Sequence, residues 1–148
     1  MRYVHTNLIA RDWQRVSAFY QNVLGCRPVP PKRDLSGQWV DQLTGVPGAH
    51  IVGEHLALPG YADNLPTLEI FSYEETMDGD KPIYRTGFAH LAFEVEDVHS
   101  VLQHVLQEGG GQLGEVVCAQ YPGNVSATFV YATDPEGNIL ELQNWKHG

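Results

Sequence analysis

Scarcity says as much about this chain as abundance. Only two cysteines, Cys26 and Cys118, occur in its 148 residues, and they form no CxxC pair, so no disulfide framework is expected and a reducing, cytoplasmic compartment is. The opening residues carry charge and polarity where a secretory peptide needs an apolar core, which makes Asn124-Val125-Ser126 a chance glycosylation sequon. No apolar run approaches the roughly 20 residues of a membrane span. Positive charge is short too: nine Lys and Arg stand against eighteen Asp and Glu, a net charge of -9. Nucleic acid and anionic membrane surfaces are therefore poor partners. There is no linker and no low-complexity tract, and a chain of this length suffices for one domain that buries roughly 70% of the surface its unfolded form exposes.

What is present is an internal duplication. A shift of 85 residues lays His5 on His90, Asp12 on Asp97, Val16 on Val101, Tyr20 on Val105 and Gly25 on Gly110. Each copy reads as a strand, an aspartate cap, an amphipathic helix and a glycine stop. The spacing predicts a strand over 3–10 and a helix over 13–24 with Val16, Phe19, Tyr20, Val23 and Leu24 on one stripe. It predicts a second strand over 88–95 and a helix through Leu106 with Val98, Val101, Leu102, Val105 and Leu106 inward. Pro28, Pro30 and Pro31 are expected to end regular structure. Further strands are expected at 39–43, 49–58, 67–73, 113–120, 126–133 and 138–144, with Asp134-Pro135-Glu136-Gly137-Asn138 as the last turn. Each unit is thus a strand and helix followed by roughly three strands.

Side chains alternate across a strand, so period two assigns faces. His5 falls opposite Val4, Thr6 and Leu8, and His90 opposite Leu91, Phe93 and Val95. Two more strands carry a lone carboxylate among aliphatics: Glu69 between Leu68 and Ile70, and Glu141 between Leu140 and Leu142. A glutamate so placed is costly on a dry face unless it is paired, protonated or bound to a cation. A single strand histidine or glutamate is most often just solvated or hydrogen-bonded. Four of them on one face, in the order His, Glu, His, Glu, point to a shared metal ion. Of the other histidines, His50, His99, His104 and His147 read as filler, and His55 as a pocket residue.

The His5-Thr6 strand with Phe19-Tyr20-Gln21-Asn22-Val23-Leu24-Gly25, the Leu68-Glu69-Ile70, the Gly87-Phe88-Ala89-His90 and the closing Asp134 to Leu142 segment resemble the vicinal oxygen chelate superfamily. That superfamily includes glyoxalase I, methylmalonyl-CoA epimerase, extradiol dioxygenases and bleomycin and fosfomycin resistance proteins. The resemblance covers nearly the whole chain. It implies an α+β fold of two tandem βαβββ modules, about 1–75 and 84–148, forming a cupped mixed sheet with helices outside. It also implies one divalent ion per site, Ni, Co, Mn, Fe or Zn, on His5, Glu69, His90 and Glu141, and a homodimer. Four ligands leave two places on an octahedral ion for adjacent substrate oxygens.

The chemistry this implies is that of a lyase, isomerase or epimerase, in which the ion chelates a small hydroxy-carbonyl substrate while a carboxylate takes the proton alpha to the carbonyl. Glu141 is the expected base and Glu69 its counterpart. The alternatives are a sequestering protein of the bleomycin-resistance kind and an iron dioxygenase, which would leave Glu69 a spectator. Bacterial glyoxalase I carries an arginine four residues after its first ligand, where this chain has Ile9. Arg11 and Arg85 are candidates to supply the missing charge.

Overall fold

The computed structural model describes all residues, Met1–Gly148, and divides them into two compact units, Met1–Asp78 and Gly79–Gly148. The fold is α+β, with nine strands in two mixed sheets and three helices.

The first unit runs β1 (His5–Ile9), α1 (Trp13–Leu24), β2 (Arg27–Leu35), α2 (Gln38–Thr44), β3 (Ile51–Ala57) and β4 (Thr67–Tyr73), in sheet order β1-β4-β3-β2. The Asp12 side chain accepts from the Arg15 N–H to start α1, and Gly25, at φ 69°, ends it, as the cap residues require. Val16, Phe19, Tyr20 and Leu24 are buried and pack, with Leu56, Leu68 and Ile70, into the core on the helix side of β3 and β4. There the buried Ser17 hydroxyl donates to the buried Glu54. On the opposite face Val40, Ala49, Ile51 and Phe71 form a smaller apolar cluster. β3 and β4 approach closely at Gly53, where a Cβ would stand 2.1 Å from the Ile70 carbonyl oxygen at a φ of 157°.

Two expectations fail in this unit. The prolines do not end regular structure: β2 runs through them. It is an edge strand, so the missing proline N–H groups cost no ladder bonds on its open side, and its register against β3 shifts between Val29 and Arg33, the signature of a bulge. The strand expected over 39–43 is helix α2. Only Val40 of that run is buried, while Trp39 and Leu43 face outward, a spacing a single helical turn accommodates and alternation over five residues does not exclude. Asp41 then holds the following turn by accepting from the Gly48 and Ala49 N–H groups.

The second unit runs β5 (His90–Glu94), α3 (Val98–Gln107), β6 (Gly111–Gln112), β7 (Val117–Tyr121), β8 (Val125–Thr133) and β9 (Ile139–His147). Its sheet order is β5-β9-β8-β6, with β7 also on β8. Asp97 caps α3 through the His99 and Ser100 N–H groups. Val98, Leu102 and Val105 are buried, but Leu106, expected inward, is 40% exposed because it lies past the edge of the stripe. Of the strand expected over 113–120 only the second half is strand, as β7; the short β6 ends before it, and Gly114 lies between the two. The last turn is built on Asp134, only 2% exposed, whose carboxylate accepts from the Glu136 and Asn138 N–H groups and the Asn138 amide. No helix is long and apolar enough to cross a membrane.

Candidate metal centre

Glu69 stands at the middle of β4, the strand shared by a parallel neighbour, β1, and an antiparallel one, β3. Registry pairs Glu69 with Asn7 on one side and His55 on the other, while His5 pairs with Thr67. Directly paired residues project to the same side of a sheet, so His5, Asn7, His55, Thr67 and Glu69 share one face. Their side chains meet there. His5 Nε2 lies 3.0 Å from Glu69 Oε2, and the Asn7 amide donates to the same oxygen at 3.2 Å. His55 Nε2 lies 3.0 Å from Glu69 Oε1, and His55 Nδ1 lies 3.0 Å from Thr67 Oγ1. The Phe71 ring meets His55 edge-on, and the His5 ring does likewise.

The His55–Glu69 contact is a hydrogen bond rather than a charge pair. Burial lowers the His55 pKa from its ordinary value, and the Arg33 guanidinium acts in the same sense; the Glu69 carboxylate opposes them without prevailing. His55 is therefore the neutral imidazole near pH 7, the form that ligates metals. One donor atom each from His5, His55 and Glu69 lie within 4.8 Å of one another. Two imidazoles and a carboxylate fit a borderline divalent ion such as Zn, Fe, Co, Ni or Mn.

The second unit repeats the plan. Glu141 is the third residue of β9, paired with Ala92 of parallel β5 and Tyr131 of antiparallel β8, and His90 pairs with Ile139. In both units the histidine thus pairs with the residue two before the glutamate. His90 Nε2 lies 2.9 Å from Glu141 Oε2, and the Tyr131 ring meets the His90 ring edge-on with centroids 5.2 Å apart. Leu68, Ile70, Leu140 and Leu142 flank the two glutamates at 0–1% exposure, the environment that alternation assigned to them.

The four residues singled out in the sequence therefore form two His–Glu pairs, one within each unit. His55 belongs with the first of them. Its weight escaped sequence reasoning because it depends on the registry of β3 against β4, and no pattern within 49–58 reveals that. The remaining histidines lie apart: His50 pairs with Asp34 and Glu74, and His99, His104 and His147 are exposed. Arg11 is engaged with Asp78.

Residues 2–142 match the profile of the Glyoxalase/Bleomycin resistance protein/Dioxygenase superfamily. The chain belongs to that superfamily. Within it, the chain is 27% identical to a lactoylglutathione lyase of Neisseria meningitidis, over 100% of this chain and 94% of the relative. It is 27% identical to one of Haemophilus influenzae over 96% and 91%. A glyoxalase family protein of Bacillus cereus superposes with a TM-score of 0.83 at 20% identity, covering 100% of this chain and 95% of that one. A fosfomycin resistance protein of Listeria monocytogenes, solved with Mn(II) and a dihydroxypropylphosphonic acid, superposes at 0.54 with 16% identity, over 95% and 90%. These likenesses establish the superfamily fold.

Proposed function

We propose that the protein is a metal-dependent enzyme of glyoxalase type, a lyase, isomerase or epimerase acting on a small hydroxy-carbonyl compound. His5, Glu69, His90 and Glu141 hold one divalent ion per site. The observation that carries this reading is the matched pair of half-sites, His5–Glu69 at 3.0 Å and His90–Glu141 at 2.9 Å, built on the same strand registry in each unit. The names of the lactoylglutathione lyase relatives and the Mn(II) of the Listeria protein support it.

When bound, the ion polarises the substrate carbonyl and stabilises negative charge that develops on its oxygen. The chain's own carboxylates move the proton. Glu141, whose side chain meets His90, takes it from the carbon alpha to the carbonyl, and Glu69 serves the opposite face of the substrate. Leu140 and Leu142 fix the Glu141 strand from the far side. The buried Cys26, with its thiol pushed up to about 12 by burial, and the unpaired Cys118 suit a reducing cytoplasm. We include a homodimer in the reading: Trp39 and Tyr61 are more than half exposed, and aromatics are favoured in interface cores. Trp145 is instead packed against Tyr121 and Phe129 of its own unit.

Elemental analysis of the native protein tests the ligands: metal is expected in the parent and lost in His5→Ala and His90→Ala. Incubation with small alpha-hydroxy-carbonyl compounds in deuterated water tests the chemistry. Label is expected at the alpha carbon, and Glu141→Gln is expected to suppress it while retaining much of the metal. Exchange indifferent to Glu141 would overturn its role as base, and a parent protein with neither metal nor exchange would favour sequestration. Ile9 leaves a glutathione carboxylate without its cation, a loss of about 1.5–3 kcal/mol. Turnover of the methylglyoxal–glutathione hemithioacetal is accordingly expected to be at least about tenfold poorer than for an authentic glyoxalase I.

A further inference from the structure

We infer that His55 is a fifth metal donor, making the first unit a three-donor centre of His5, His55 and Glu69 that grips a divalent ion by itself. The inference rests on His5 and Glu69 being ligands, as proposed above, and adds a residue that the four-ligand reading leaves out.

Distance is the first support. The three donor atoms lie within 4.8 Å of one another, and two of the separations are 3.0 Å. Donors around one ion with bonds near 2.1 Å stand about 3 Å apart when adjacent and about 4.2 Å apart when opposite.

The far side of the ring is the second. A ligating histidine almost always bonds its other ring nitrogen to a fixed partner, and His55 Nδ1 meets Thr67 Oγ1 at 3.0 Å. Thr67 is 2% exposed, so water does not compete for that contact. A hydroxyl both donates and accepts. It can donate to Nδ1 while Nε2–H faces Glu69, and accept from Nδ1–H once the Nε2 lone pair turns to a metal.

Satisfaction of the carboxylate is the third. Glu69 already receives the Asn7 amide on Oε2, and nothing in its environment demands a second imidazole on Oε1. The fifth donor has a use, however. With His5 and Glu69 it would hold the ion from one unit, leaving Glu141 free to act as a base.

The test is a count of coordinated imidazoles. Metal-stripped protein is given one equivalent of Cu(II) and read by pulsed electron paramagnetic resonance. Three imidazoles are expected in the parent and two in each of His55→Gln and His90→Ala. Zn(II) affinity from chelator competition is expected to fall at least tenfold in His55→Gln with circular dichroism unchanged. If the parent shows two and His55→Gln also shows two, the inference is overturned. If His90→Ala leaves the count unchanged while His55→Gln lowers it, the four-ligand reading fails and the present one stands. A measurement on the parent alone guards against a misfolded variant: Zn(II) loading must shift the His55 Nε2 resonance in nitrogen-15 spectra along with that of His5, and an unmoved Nε2 overturns the inference.

Discussion

The two half-sites share a backbone plan and differ in what surrounds the glutamate. Glu69 is contacted by His5, Asn7 and His55, with Thr67 behind His55. At the matching registry positions around Glu141 stand His90, Ala92, Tyr131 and Ile139. Duplication has kept the His–Glu pair and the aliphatic flanks while every other polar neighbour became apolar or aromatic. In the function proposed above, the first unit would supply the richer donor set, His5, His55 and Glu69, and the second the carboxylate of Glu141 that acts as base. Constraint from the core side of a strand survives divergence; constraint from the open side follows the task.

The core side of the two units should respond alike. Leu68→Ala and Leu140→Ala each remove a fully buried side chain next to a glutamate, and each is expected to cost about 2–5 kcal/mol in denaturant unfolding. A cost confined to one unit would break the comparison at its root. The open side should respond unequally. Glu69→Ala is expected to weaken Zn(II) binding about a hundredfold, close to 2.7 kcal/mol, and Glu141→Ala about tenfold. Chelator competition measures both, and equal losses would remove the asymmetry.

The smallest effect concerns the two histidines of the β3 region. His55 has a lowered pKa, whereas that of His50 is raised by its hydrogen bonds to Asp34 and Glu74. A raised folded pKa gives stability that is fully present below the unfolded value of about 6.5 and is lost as pH rises through the folded value. His50→Gln is therefore expected to lower the Tm slightly at pH 5 and to match the parent at pH 8.5, as thermal melts across that range will show. The site is solvent-exposed, so the difference should also shrink in high salt.

Helices α1 and α3 were legible because aspartate caps and glycine stops act locally, and Asp12, Gly25 and Asp97 serve those roles in the structure. Period two likewise found both glutamates, since Leu68, Ile70, Leu140 and Leu142 declare the buried face. β2 was illegible because a proline run is tolerated only where a strand lies at the sheet edge, and edge position is a property of the whole sheet. Helix α2 offered one buried residue, too few to set a period. His55 was recognised only as a pocket residue, for its importance lies in meeting Glu69 from another strand.

Strand parity gives the Asp134 turn a significance beyond its own hydrogen bonds. Five residues from Asp134 to Asn138 launch β9, and Glu141 follows as its third residue. A strand offers its side chains to only two sides, so one residue gained or lost in the turn would exchange the places of Glu141 and its leucines. The gene can therefore vary the composition of this turn more freely than its length. Asp134, buried in the turn just before β9, acts as a counting device: it sets whether the glutamate lies on the open face or is lost to the core.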